Sequence, residues 1–267
     1  MHKLTLFIIS FWLLGVIFSY VLNFDPNLMQ LDNILSQPNL NAFFGRDDYG
    51  RSILIRLIEG FKNSAEIIFT VSIISCSFGV LVGTVSGFFG GKFDQGISFV
   101  INLFMSFPGI LLAIAFAAVL GPGKGNLILA LSIGSWVGYA RISRGQTLLV
   151  KNYDFVNASR SMGASDSQII LKHIIPSIST PLAVEATYAF AGLIIAEASL
   201  SFLGLGLQAP EASWGSMMRD SVRYLLVSPH YAILVGMSIM SVVYCINYVG
   251  DYFYKIWGIS NNQGGLS

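Results

Sequence analysis

Two carboxylates stand where carboxylates are costly. Glu185 and Glu197 both lie in the apolar run Ile178 to Leu203. A charged group inside a bilayer persists where it serves a purpose, such as lining a path for a solute or ion, relaying protons, or bracing a helix. Twelve residues of helix leave the two about a third of a turn off a common face, so they are a poor acid–base pair. Glu197, near one end of the run, is read first as a brace for the adjacent loop. No other chemistry finds a foothold. His2, His173 and His230 are scattered, and there is no HExxH spacing. Cys76 and Cys245 sit singly in apolar runs without CxxC, as small buried residues do. The glycine-rich stretch Gly121-Pro122-Gly123-Lys124-Gly125 is a tight loop, and GxxxxGK[ST] occurs nowhere. The chain is therefore expected to be no enzyme and to hold no metal or cofactor. If ATP drives it, another subunit binds the nucleotide.

The elements around these residues are membrane spans. Of 267 residues, 54% are hydrophobic and 11% charged, with mean hydropathy +0.68. Soluble domains carry about 25% charged residues. A net charge of +1 gives no case for nucleic acid. Six apolar runs are expected to cross the bilayer: Leu4 to Leu22, Ser64 to Phe89, Ile97 to Leu120, Leu127 to about Ala140, Ile178 to Leu203, and Pro229 to about Phe253. The first is read as an uncleaved span, since Ser19-Tyr20-Val21-Leu22-Asn23 is a poor signal cleavage site. Pro108 should bend the third. Ser75, Gly79, Gly83 and Gly87 recur every fourth residue, a ladder of small residues that lets a second backbone approach closely. The expected organisation is residues 1–23 as the first span, 24–63 as an outer segment with an amphipathic helix, 64–257 as a five-helix core, and 258–267 as a tail.

The longest polar segment between the later spans is KNYDFVNASRSMGASDSQIILKHIIP, residues 151–176. Its spacing predicts two short helices meeting at a corner. Asp154 is placed as the N-cap of the first, with Asn157 at the third helical position and Phe155, Ser159 and Met162 as its apolar face. Gly163 falls where a helix ends in the left-handed conformation. Ser165 and Gln168 form a capping box for the second helix, whose apolar side is Ile169, Ile170, Leu171, Ile174 and Ile175. Pro176 closes the unit. Such a hairpin is either a docking surface or a loop lying at the bilayer interface. Two further segments are distinctive. In FGRDDYGRSILIRLIEG, residues 44–60, Asp47 or Asp48 could start a short helix over Ile53, Leu54, Leu57 and Ile58, with Arg51 and Arg56 among them. In SFLGLGLQAPEASWG, residues 201–215, glycine and proline spell a loop.

These three segments resemble, in order, signatures of one family. Residues 44–60 look like the "FGTDxxGRDxxSRLIxGAR" signature of dipeptide, oligopeptide and nickel permeases, keeping Phe44-Gly45, Asp47, Gly50-Arg51, Arg56-Leu57-Ile58 and Gly60. Residues 157–176 resemble the "EAA" loop of ABC importer permeases. Asn157-Ala158-Ser159 stand at Glu-Ala-Ala, Gly163 at the glycine, His173 at the Ile, and Ile175-Pro176 at Leu-Pro. Asn157 removes the negative charge the pattern carries. Residues 197–217 closely resemble "EASLSFLGLGxxPPxPxWGxM", from Glu197 through Pro210 and Trp214 to Met217.

The resemblance implies an all-α, six-helix permease of the type I (MetI-like) ABC importer fold, in the cell inner membrane with both termini cytoplasmic. Eight basic residues on one side against seven on the other do not decide that orientation. It implies a homologous second permease as heterodimer partner, two ABC ATPase subunits that hold the ATP and Mg, and an extracytoplasmic binding protein. In that frame Asp154, Phe155, Asn157, Ala158, Ser159, Met162, Gly163, Ala164, Ser165 and Pro176 couple to the ATPases. Asp47, Gly50, Arg51, Gly204, Gly206, Pro210, Trp214 and Gly215 shape an outer gate or the binding-protein dock. Glu185 and Glu197 are candidates for the translocation path. The cargo would be a peptide or chelated nickel. The alternative is a secondary carrier working without ATPase subunits, although no repeated halves are evident. A membrane enzyme is a more distant third.

Overall fold

A computed structural model describes residues 3–22, 24–40 and 42–263, with the side chains of Tyr20 and 257–263 outside the description. His2, Asn23 and the last four residues of the expected tail lie outside the described residues. The chain is helical: α1 Lys3–Val21, a 3-10 turn Leu31–Asn33, α2 Ile53–Phe89, α3 Gly91–Met105, α4 Gly109–Leu120, α5 Lys124–Val150, α6 Asp154–Ser161, α7 Asp166–Ile169, a π turn Ile170–Ile174, α8 Ile175–Ser177, α9 Ser179–Phe202, α10 Trp214–Val222 and α11 Pro229–Gln263. Among the described residues, α2, α9 and α11 are long and apolar enough to cross a membrane, and Lys3–Ser19 is a shorter apolar helix. Helix α5 is 27 residues long, but its second half carries Arg141, Ser143, Arg144, Gln146 and Thr147.

Two expectations about spans are refined. The third bends at Pro108 as expected, but so sharply that it breaks: α3 and α4 meet at 86°. Pro108 has no N–H and disfavours helical backbone at Phe107. Before it, the Ser106 hydroxyl donates to the Leu103 carbonyl at 2.7 Å and helps close off α3. The outer amphipathic helix is not separate. Ile53 opens α2, which continues for 37 residues to Phe89, and Ile53 and Leu57 are fully buried rather than laid on a surface. The last helix also runs on to Gln263.

Residues group into two compact units, one of 1–70, 114–131 and 190–249, the other of 71–113, 132–189 and 250–267. In the first, Trp12, Ile53, Leu57, Trp214, Met217, Tyr231 and Val235 form the core. Trp214 packs edge-on to Trp12 at 5.0 Å, and its Nε1–H donates to the Leu57 carbonyl at 3.0 Å. At the head of α2 the Asp47 carboxylate is fully buried. It accepts from the backbone N–H groups of Tyr49 and Arg51, each at 2.9 Å. It also faces Arg51 Nε at 2.7 Å and Arg56 Nε at 3.4 Å. Asp47 therefore does not cap a helix; it accepts from the turn before α2 and from Arg51, and its charge is paired with Arg56 as well. Gly50 lies in the left-handed region, and a Cβ there would strike the Gln30 carbonyl, so only glycine closes that turn.

In the second unit the small-residue ladder of α2 meets α5 directly. A Cβ at Gly79 would collide with the Trp136 carbonyl and Tyr139, one at Gly83 with the Ala140 carbonyl and Ser143, and one at Gly87 with the Arg144 carbonyl and Thr147. Ser75 is fully buried at the start of the row. Helix α3 is tied to α5 by Arg144, whose Nε and Nη2 donate to the two Asp94 oxygens at 2.6 and 2.7 Å, with the Ser86 hydroxyl on the same carboxylate at 2.6 Å.

These contacts can be tested by thermal melts. Gly83→Leu should lower the melting temperature of the purified chain in detergent, by overpacking worth about 1–3 kcal/mol or more. Gly96→Leu, where nothing lies within 4 Å of an added Cβ, is the control. Equal melting of the two variants would mean that α2 and α5 do not need the gap. Asp47→Asn keeps the size of the side chain but removes the charge between two buried guanidinium groups, and should cost about 3–5 kcal/mol in the same melt.

Candidate functional site

The fold places three groups of residues singled out by sequence. The first is the hairpin after α5. Lys151 Nζ donates to the Gly87 carbonyl at 2.7 Å, anchoring the start of the segment on the last rung of the ladder. Tyr153 then takes the extended backbone of an N-cap, with no side-chain cap bond, so Asp154 is the first helical residue and not the cap. Its charge still suits the positive end of α6. The buried face of α6 is Val156 and Ser159, with the Ser159 hydroxyl 3.2 Å from His173 Nε2. Phe155 and Met162 instead point outward, 44% and 82% exposed. The three residues grouped as one apolar face thus separate: Ser159 is inside, while the two larger side chains are left uncovered because Val156 takes the inward position. Asn157 and Ala158 are exposed beside them, and Ala164 is half-buried.

Gly163 has φ +87° with nothing within 4 Å of an added Cβ, so the demand for glycine is conformational and not steric. Ser165 and Gln168 close the capping box with both bonds present. The chain then departs from the sequence reading. Pro176 has no N–H, and its ring crowds the carbonyl four residues back. The helix widens to a π turn over Ile170–Ile174, with the Ile175 N–H donating to the Ile170 carbonyl. Pro176 sits early in α8 and does not end the path; α9 follows from Ser179. The inner side is Ile169, Ile174 and Ile178, packed with Phe88, Tyr139, Val150, Val156 and Leu182. Leu171, expected on that side, is 65% exposed.

The second group is the pair of motifs at residues 44–60 and 201–215, which the fold brings together. Arg56 Nη1 donates to Asn27 Oδ1 at 3.1 Å and reaches the Pro210 carbonyl at 3.4 Å. Asn63 Nδ2 donates to the Ala212 carbonyl at 2.8 Å. Gly60 lies against Trp214, Gly215 against the Ala198 carbonyl, Gly206 against Ser201, and Gly204 in the left-handed region beside Arg219. The Ala209–Pro210 bond is cis. Asp47, Arg51 and Trp214 are buried, so they cannot form a surface themselves, as an outer docking role would need; they hold the loops around them. Burial raises the Asp48 carboxyl above the usual range, with Asp47 and Asp220 adding to the effect. Sequence reasoning passed over Arg56 and Asn63 as anchors and did not foresee α10, whose start is a Ser213–Ser216 capping box.

The third group is the carboxylates. Glu197 is buried and accepts from the Ser64 hydroxyl at 2.9 Å and the Ser201 hydroxyl at 2.7 Å. It joins α2 to the end of α9, as a brace does. Glu185 is elsewhere, half-buried against Gly138 of α5. Glu66, also within the second apolar run, was overlooked; it pairs with Lys124 at 2.6 Å.

Comparisons with known proteins agree with this arrangement. Residues 79–256 match the family model "Binding-protein-dependent transport system inner membrane component". The glutathione transport system permease protein GsiD of Escherichia coli O6:K15:H31 is 38% identical over 251 residues, covering 92% of this chain and 82% of the relative. The dipeptide transport system permease protein DppC of Alkalihalophilus pseudofirmus is 36% identical over 219 residues, covering 82% and 72%. Among solved structures, an inward-facing form of the MetNI methionine ABC transporter superposes with TM-score 0.62 at 21% identity, over 75% of this chain and 95% of that one. At that identity the likeness concerns the fold, which is the type I ABC importer permease fold. The chain belongs to the family of binding-protein-dependent transport system inner membrane components, the ABC importer permeases.

Proposed function

We propose that this chain is the permease subunit of an ATP-driven importer of short peptides, and that residues 151–176 are its coupling element. The observation that carries the coupling role is the hairpin itself. Its core is closed by Val156, Ile169 and Ile174, yet Phe155 and Met162 stand uncovered at its tip. An exposed apolar pair on a rigid corner suits a groove on another protein. The peptide class rests on the glutathione and dipeptide permeases to which the chain is similar. In this reading a homologous second permease completes the path, and two ATPase subunits supply the ATP and Mg. A binding protein delivers cargo at the outer loops held by Asp47, Arg56 and Trp214. Both termini face the cytoplasm of a cell with the complex in its inner membrane. Nothing observed favours a secondary carrier.

The test is co-expression with the partner subunits, followed by pull-down and uptake of a labelled dipeptide, glutathione and a nickel chelate. Wild type should retain the ATPases and take up a peptide; uptake of the nickel chelate alone would replace the peptide class with nickel. Gly163→Val should lower ATPase recovery and uptake together, roughly tenfold, because a β-branched residue is strained at positive φ. Gly163→Asn should be much milder, since Asn tolerates that conformation. Phe155→Ser with Met162→Ser should give the same loss without altering the melt of the chain. Full ATPase recovery in all three would remove the hairpin as the coupling element.

A further inference from the structure

Most charged side chains in or beside the spans have a partner within the chain. Glu66 has Lys124, Asp94 has Arg144, and Glu197 has two serine hydroxyls. Glu185 and Arg141 are different. Among the described residues neither makes a hydrogen bond or a close ion pair, although the Arg141 charge is near enough to act on the Glu185 carboxylate. Glu185 lies on α9 two turns beyond the hairpin, and its carboxylate occupies the space over Gly138 that any Cβ would fill. Arg141 is exposed on α5 one turn on from that glycine. It is rooted about 4.5 Å along the helix from Gly138. Tyr188, the next residue along the Glu185 face of α9, is already engaged, donating its hydroxyl to Asp251 at 2.9 Å. The result is an anion and a cation on facing helices, near each other and not joined, across a gap that a glycine keeps open. A carboxylate without a close partner inside a span is expensive unless something charged visits it.

We propose that Glu185 and Arg141 receive the two charged ends of a short zwitterionic peptide, the ammonium at Glu185 and the carboxylate at Arg141, on the inner stretch of the translocation path. This rests on the peptide-import reading above. An extended dipeptide spans at most about 7 Å, a separation the long Arg141 side chain can present to Glu185. Charge complementarity selects this cargo, because a singly charged solute would satisfy only one of the two groups and a neutral one neither.

The assembled importer, in proteoliposomes with its binding protein saturated by labelled Ala-Ala, gives the test. Glu185→Gln and Arg141→Gln should each lower uptake at least about tenfold, the loss expected for one charge-assisted contact. The partner subunits should be recovered in full. Glu185→Asp and Arg141→Lys, which keep the charges, should retain part of the rate. Because the two ends are read independently, the double Gln variant should be slower than either single one by a further factor of similar size. A double variant no slower than the singles would show that Glu185 and Arg141 serve only each other. Loss of partner subunits in proportion to uptake would show that the carboxylate pairs with the second permease. Unchanged uptake in both neutral variants would overturn the site alone, whereas wild type that takes up no Ala-Ala would overturn the peptide reading and the site with it.

Discussion

The contact between two bare helix backbones governs much of this molecule. Gly79, Gly83 and Gly87 let α5 lie so close to α2 that carbonyls of Trp136, Ala140 and Arg144 occupy the places where side chains would be. Three features follow from that approach. Arg144 is brought within reach of Asp94, which fixes α3. Lys151 meets the carbonyl at the last rung. The hairpin then emerges from the end of α5 at a defined place, with its buried residues already facing Phe88 and Leu182. Van der Waals fit, and not hydrophobic drive, holds helices together in a bilayer, so the depth of this groove sets the position of everything that hangs from α5.

The unit that holds Asp47 and Trp214 uses the opposite device. A buried carboxylate gathers backbone N–H groups and two guanidinium groups, and one of those, Arg56, extends to the carbonyl of Pro210 in a loop more than 150 residues away. Buried ion pairs contribute little net stability, but they penalise every arrangement that leaves one charge unmatched. Asp47 thus acts on specificity: it admits one seating of the 24–52 segment and the 203–213 loop. Trp214 complements it from the apolar side, filling the core while its N–H reaches the Leu57 carbonyl.

The sequence announced some of this clearly. Gly163, Ser165 and Gln168 were legible because each answers a local backbone demand that no distant contact changes. The ladder on α2 was legible because period four is visible without knowing the partner, although α5 as that partner was not. What failed needed tertiary information. Asp47 looked like a helix cap because caps are short acidic residues near a helix start; only the fold shows Arg51 and Arg56 closing over it. Phe155, Ser159 and Met162 were grouped as one apolar face by spacing; that Val156 and Ser159 are the buried side and leave the other two exposed is visible only in the fold. The π turn was illegible since no residue type marks it; Pro176 was read as ending the unit, whereas the turn before it widens and the helical path goes on. Arg141 appeared only as one more basic residue, and its lack of a partner is a fact about space.

The π turn also sets a rule about chain length. Five residues, Ile170 to Ile174, complete a turn there with one residue more than an α-helix would use. Deleting any one of them would let an ordinary α turn, at about 100° per residue, cover the same rotation. Ile178 and Leu182 would still face the hairpin core, and Glu185 would still face Gly138. A deletion in the α-helical residues on either side has no such slack and would turn everything after it by about 100°. The π turn is therefore a place where the stretch between Gly163 and Pro176 can lose a residue and keep its far end in register.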